Sequence, residues 1–154
     1  SAAPEAYGTV DEAQAALGVA RACCERGGEL DALLVSLERD LWVLMAELAT
    51  DADNTHKLVD GTSRVTAEMV QALELQIDAT SARFEPPTEF VVPGESVVSA
   101  QLDVARTVIR RAERVSIRAA GPSSHVVPYL NRLSDLVWTL ARWQEGHSLI
   151  TRDA

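Results

Sequence analysis

Six leucines between residues 30 and 48 fall at steps of four and three: Leu30, Leu34, Leu37, Leu41, Leu44 and Leu48. That alternation matches the helical period and not the two-residue period of a strand, so Leu30 to Ala49 is read as a helix with one buried edge. Such an edge needs other apolar surfaces to meet, and the rest of the chain supplies them at the same period. A first helix is expected from Thr9-Val10-Asp11-Glu12, where Thr9 and Glu12 have capping-box spacing, through the alanine-rich run to Arg26, with Gly27-Gly28 as its stop. Thr50 to Gly61 is polar and reads as a loop. A third helix is expected from about Thr66 to Arg83, with Val70, Leu73 and Ile77 inward. Pro86-Pro87 closes it, because proline lacks an N–H and clashes with the preceding turn.

Glu89 to Gly94 reads as an extended connector. A fourth helix starts near Ser96 and reaches about Ala120, turning Val98, Leu102, Ala105, Ile109 and Ala112 inward. Gly121-Pro122-Ser123-Ser124 breaks the chain, and Pro128 suits the first turn of a fifth helix. That helix is expected to run to about Trp143, with Leu130, Leu133, Val137 and Leu140 inward and Gly146 at its end. No segment keeps strand-like alternation for long and no repeat is present. The expected class is all-α, five helices in a single domain over residues 1–154.

The bulk properties narrow the function. No stretch approaches an 18-residue apolar run and no basic start leads into an apolar segment, so neither a membrane partner nor a secretory signal is expected. Cys23 and Cys24 are neighbours and poorly placed to bridge each other, which suits a reducing cytoplasm; they are read as core residues and not as metal ligands. The formal charge is −9, which argues against nucleic acid as the main partner. The charge is uneven, however. From Gln101 to Asp135 six arginines face three acids, a local +3, so the remainder carries −12. A basic island in an acidic chain points to a bound polyanion.

That island lies on the fourth and fifth helices. Arg106, Arg110, Glu113 and Arg114 fall at i, i+4, i+7 and i+8 and share one edge, with Arg111 to the side. A solvated charged face is the ordinary reading of such a helix. Three arginines at four-residue steps repel one another, though, and Glu113 can offset only one. Planar, permanently charged guanidiniums suit phosphate oxygens, and a stack of them suits a di- or triphosphate. Asn131 stands in the first turn of the fifth helix, where free N–H groups attract anions, although a surface or capping role is the commoner one. Tyr129, Trp138 and Trp143 are by default core or interface aromatics.

Three blocks carry a resemblance: Phe90-Val91-Val92-Pro93-Gly94, then Arg106-Thr107-Val108-Ile109-Arg110-Arg111-Ala112-Glu113-Arg114, then Tyr129-Leu130-Asn131-Arg132-Leu133-Ser134-Asp135. Together with Ala6-Tyr7-Gly8-Thr9-Val10-Asp11-Glu12, they resemble, in order and spacing, the signature segments of the PduO-type ATP:cob(I)alamin adenosyltransferases. The resemblance implies a five-helix, ferritin-like bundle assembled as a homotrimer with sites between subunits. It implies transfer of the 5′-deoxyadenosyl group of ATP to cob(I)alamin with release of triphosphate, Mg2+ accompanying the phosphates.

By the same resemblance, Arg106, Arg110, Arg111, Glu113, Arg114 and Asn131 form the ATP site. Arg110 and Phe90 are the residues closest to the chemistry. Phe90 packs beneath the corrin ring and displaces its lower ligand, Trp138 lines the corrinoid pocket, and Asp11 pairs with Arg106 across the subunit seam. A cob(II)alamin reductase and an adenosylcobalamin-dependent acceptor enzyme are the implied partners. Two departures stand out. The family's Thr-Arg-x-Gly-Asp-x-Gly-x-Thr segment, which wraps the triphosphate, has no counterpart in the sequence, so it either precedes Ser1 or is lacking. Glu95 follows Gly94 where the family usually has a second glycine. A non-catalytic corrinoid-binding or carrier protein of the same fold is the alternative.

Overall fold

The computed structural model describes residues 2–152; Ser1, Asp153 and Ala154 lie outside the described residues. Five α-helices account for most of it: α1 (Ala3–Cys23), α2 (Glu29–Ala49), α3 (Ala67–Ser81), α4 (Val97–Ser116) and α5 (Val126–Glu145). The six-leucine stripe of α2 is buried along its whole length, as its period requires. It shares one core with Ala6, Val10, Ala13, Leu17 and Ala20 of α1 and, from α4 and α5, Leu102, Ile109, Leu130, Leu133, Val137 and Leu140. Each fully buried leucine contributes about 1.5–3 kcal/mol, so the shared stripes are the main source of stability. Leu73 of α3 is buried too, while Val70 and Ile77 are half-buried against the same core.

α4 packs between α1 and α5, α2 lies on α1, and α3 lies on α5. α1 and α2 run antiparallel, since Gln14 reaches Glu38 and Arg21 reaches Asp31. α4 and α5 are antiparallel as well, since Asp103 meets Arg142 and Glu113 meets Asn131.

Several boundaries differ from the sequence expectation. α1 begins six residues before Thr9, with Pro4 in its first turn. The buried stripe already starts at Ala6, so packing carries the helix through the supposed cap. The Thr9 hydroxyl instead donates to the Glu5 carbonyl at 2.7 Å, and no Thr9–Glu12 capping box forms. The same helix stops at Cys23, ahead of Gly27-Gly28; Gly27 takes φ +82 inside the turn. The core reading of the cysteines fails for Cys23, which is exposed, whereas Cys24 is half-buried against the core.

The polar loop after α2 contains a 3-10 helix, Ala52–Lys57. α4 begins on the Ser96–Ser99 capping box and ends at Ser116, short of Ala120. The connector is not isolated. Val91–Val92 forms β1, which pairs antiparallel with β2, Leu149–Ile150, in a two-stranded ribbon. The tail after Gly146 thus has a fixed place against the connector. Among the described residues no helix is long and apolar enough to cross a membrane.

Candidate functional site

The arginine edge is built by α4. Its inner face (Leu102, Ala105, Ile109, Ala112) is buried, so helical geometry turns Arg110 and Arg114 outward, and both are exposed. Among the described residues neither has a carboxylate within ion-pair reach. Their neighbours are differently engaged. Arg111 extends sideways to Glu12 of α1, its Nη2 lying 2.5 and 2.6 Å from the two carboxylate oxygens. This is a surface pair, worth under about 1 kcal/mol. Arg106 is half-buried and leans on Asp103, Nε to Oδ1 at 3.4 Å. Glu113 accepts a hydrogen bond from Asn131 Nδ2 at 3.2 Å, which joins the arginine edge to the second turn of α5. Because α5 starts at Val126, Asn131 is its sixth residue and not, as the sequence suggests, one of the first-turn positions with free N–H groups; its side chain alone is left for a ligand. Asp11 is exposed on α1, and its side chain makes no contact with Arg106 within the chain.

The α5 turn carrying Asn131 is pinned from behind. Tyr129 is fully buried, and its hydroxyl donates to Asp40 Oδ2 of α2 at 2.7 Å. Burial raises the Asp40 carboxyl above its usual range, against the lowering effect of that bond, and pushes the Tyr129 phenol well up. Glu47 acts similarly at the α4–α5 turn. One of its oxygens accepts the Val65 N–H at 2.8 Å and the other accepts the Ser124 hydroxyl. Ser124 Oγ in turn accepts the Val126 N–H at 3.1 Å, which opens α5. The segment before α3 and the start of α5 are thereby fixed to one carboxylate.

These contacts floor a cleft of about 920 Å3, lined among others by Arg64, Thr66, Arg118 and His125. None of the sequence-predicted site residues lines it. Arg118, which lines the cleft, stands four residues after Arg114, just past the end of α4.

Phe90 stands at the other end of the α4–α5 pair. It is 84% exposed, and its carbonyl accepts from the Thr151 N–H at 2.9 Å and the Thr151 hydroxyl at 3.1 Å. Trp138 is half-buried midway along α5, with the Arg142 guanidinium 5.6 Å from its ring centroid. The structure therefore gathers Arg110, Glu113, Arg114 and Asn131 in one region and does not bring Phe90 to them. From Asn131 to Glu145, α5 alone rises about 21 Å.

Sequence reasoning missed Glu47, Asp103 and Arg142. Arg142 is 2% exposed, with Nη2 2.5 Å from Asp103 Oδ2 and Nε 2.8 Å from Glu145 Oε1. All three look like ordinary surface charges in a one-dimensional reading, since Asp103 and Arg142 find each other across two helices and Glu47 finds its partners in two loops.

The molecule is thus a helical bundle with an exposed guanidinium edge on α4 beside Asn131 of α5. The chain belongs to the cobalamin adenosyltransferase family, whose model matches residues 1–144. A corrinoid adenosyltransferase of Citrobacter freundii is 44% identical over 144 residues, spanning 92% of this chain and 80% of that protein. The corrinoid adenosyltransferase PduO of Salmonella typhimurium is 36% identical over 145 residues, spanning 92% of this chain and 42% of that longer protein. Among solved structures, a phenylalanine-to-alanine variant of the PduO-type ATP:corrinoid adenosyltransferase from Lactobacillus reuteri, complexed with cobalamin and ATP, matches with a TM-score of 0.86. It is 25% identical, and the match covers 99% of this chain and 87% of that one.

Proposed function

We propose that the chain transfers the 5′-deoxyadenosyl group of ATP to cob(I)alamin, forming adenosylcobalamin and releasing triphosphate. The observation that carries this reading is the pair of exposed guanidiniums, Arg110 and Arg114, beside the Glu113–Asn131 contact. In the reaction the Co(I) electron pair attacks C5′, the Co–C bond forms, and the C5′–O bond breaks with its pair leaving on triphosphate. No proton needs to move. The barrier is governed by charge gathering on the leaving group, which fixed cationic donors stabilise. Arg110 is the principal donor in this reading and Arg114 the second. Arg111 uses only Nη2 on Glu12, so its other N–H groups stay available to phosphate. Arg106 and Asn131 complete the nucleotide contacts.

Mg2+ belongs to the triphosphate in this account, since it is ordinarily held by substrate phosphates with one or two carboxylates. Glu113 is the carboxylate within the edge. Phe90 offers an apolar ring that covers the lower face of the corrin without ligating cobalt. Excluding a lower ligand brings Co(I) within reach of a cellular reductant, which makes a cob(II)alamin reductase one expected partner and an adenosylcobalamin-dependent enzyme another. Trp138 lines the corrinoid side. The separation of Phe90 from Asn131 along α5 supports a site completed by a neighbouring subunit. We read the assembly as a homotrimer in which Asp11 of one protomer faces Arg106 of the next. Each chain is read as one adenosyltransferase domain, acting in the cytoplasm.

The test mixes the protein with MgATP and chemically reduced cob(I)alamin, then follows adenosylcobalamin by absorbance and triphosphate by chromatography. One triphosphate per adenosylcobalamin is expected. Corrinoid binding with no triphosphate released would instead make the chain a carrier.

A further inference from the structure

The strongest feature outside the arginine edge is a buried ionic cluster on the inner side of α4 and α5. Asp103 is 5% exposed and Arg142 2% exposed, and the Glu145 side chain is fully buried. Arg142 bridges the two acids through Nη2 to Asp103 and Nε to Glu145. The Nε contact is off the N–H line, and Glu145 Oε2 lacks a hydrogen-bond partner, so the cluster is held chiefly by charge.

Both ends of the cluster lead to residues of the proposed reaction. The other oxygen of Asp103 takes Arg106 Nε at 3.4 Å. The contacted oxygen of Glu145 takes the Ser148 hydroxyl at 2.5 Å. Ser148 is the residue before β2, which pairs with β1, and Thr151 holds the Phe90 carbonyl. A continuous path thus runs Arg106, Asp103, Arg142, Glu145, Ser148, β2, Phe90. A buried charge cluster is a poor source of net stability compared with an apolar packing of the same volume. One whose two termini both touch the substrate side has a further use.

We propose that Arg142 is a positioning residue: by bridging Asp103 and Glu145 it sets the Arg106 guanidinium on the nucleotide side and anchors the tail strand that carries the Phe90 connector on the corrinoid side. The inference rests on the function proposed above. It makes the orientation of both substrates depend on one guanidinium that touches neither.

Three variants separate the two ends. Ser148→Ala removes the tail's tie without burying a charge; faster hydrogen exchange at the Thr151 amide and a several-fold higher KM for cob(I)alamin are expected, with the KM for ATP within twofold. Asp103→Asn weakens the hold on Arg106 and should raise the KM for ATP roughly tenfold, the scale of one charge-assisted contact. Arg142→Lys keeps the charge, but a single ammonium cannot span both carboxylates as a guanidinium fork does. It should raise both KM values and speed Thr151 exchange.

If Arg142→Lys and Asp103→Asn lower the melting temperature yet leave both KM values and Thr151 exchange as in the wild type, the cluster is a structural staple and the proposal is overturned. Should Arg142→Lys fail to fold, Ser148→Ala decides, since unchanged exchange and an unchanged corrinoid KM would contradict it. A wild-type protein that forms no adenosylcobalamin would sink the proposed function instead. Thr151 exchange in Arg142→Lys and Ser148→Ala would still decide whether the cluster anchors the strand, and no acceleration in either would overturn the proposal.

Discussion

At the end of α4 where the chain enters from β1, Arg142 is 2% exposed and shared between two carboxylates. Toward the other end, Arg110 and Arg114 stand in solvent with no carboxylate in reach among the described residues. The same side chain is used in two opposite ways along one pair of helices. Where positive charge is matched inside the protein, it fixes structure. Where it is unmatched and exposed, it costs little in the free state and is available to a ligand. Arg106 lies between the regimes, half-buried and only loosely paired to Asp103.

The contrast can be broken from either side. The largest effect is expected at the buried end: Arg142→Met leaves Glu145 without a cation and Asp103 with only the loose Arg106 pair, and should lower unfolding stability by about 3–5 kcal/mol in a denaturant titration. A loss below about 1 kcal/mol would mean that water reaches the cluster. At the exposed end Arg110→Ala should reduce adenosyl transfer by on the order of 10²–10³-fold. Its stability should change by no more than about 0.5 kcal/mol, since among the described residues the Arg110 side chain makes no ion pair or hydrogen bond to lose.

Phe90→Ala sharpens the comparison at a third point. The ring is 84% exposed, so folding should not notice its removal. Turnover from cob(II)alamin plus reductant should fall roughly tenfold or more, a kcal/mol or two on the barrier. Much less should be lost when cob(I)alamin is supplied, and equal losses with both would remove Phe90 from the reduction step.

The smallest effect concerns Asp31 in the first turn of α2, a buried acid paired with Arg21 and the Gly27 N–H. The Gly27 N–H, with help from Arg21 and against the opposing effect of burial, holds its carboxyl below the usual range. A depressed folded value means stability that is present above the ordinary carboxylate range and lost as pH falls through the folded value. The melting-temperature gap between wild type and Asp31→Asn should therefore be widest near neutrality and close in strong acid. A gap independent of pH would deny the charge any role.

The helices were legible because their cause is local and periodic: the α2 leucines and the α4 and α5 stripes bury the residues that the spacing names, save Val98, which is half-buried at the start of α4. Prolines and glycines marked most of the breaks. The start of α1 was misread because capping-box spacing is a weak local signal, overridden by the stripe that begins at Ala6. The β1–β2 ribbon was invisible because two residues per strand leave no alternation to detect. On the site, i, i+4 geometry set Arg110 and Arg114 on one edge before any fold was known. That Glu113 would meet Asn131, that Glu47 would clasp two loops, and that Asp103 would find Arg142 all depend on how helices dock. No spacing along the chain encodes that.

The central claim is that unmatched guanidiniums on α4 hold the leaving triphosphate. Calorimetric titration of inorganic triphosphate with Mg2+ into the wild type and into Arg110→Ala tests it without requiring corrinoid or turnover. Binding that weakens with added salt, and that drops at least about tenfold in the variant, is the predicted result. Equal affinity in both proteins would contradict the claim.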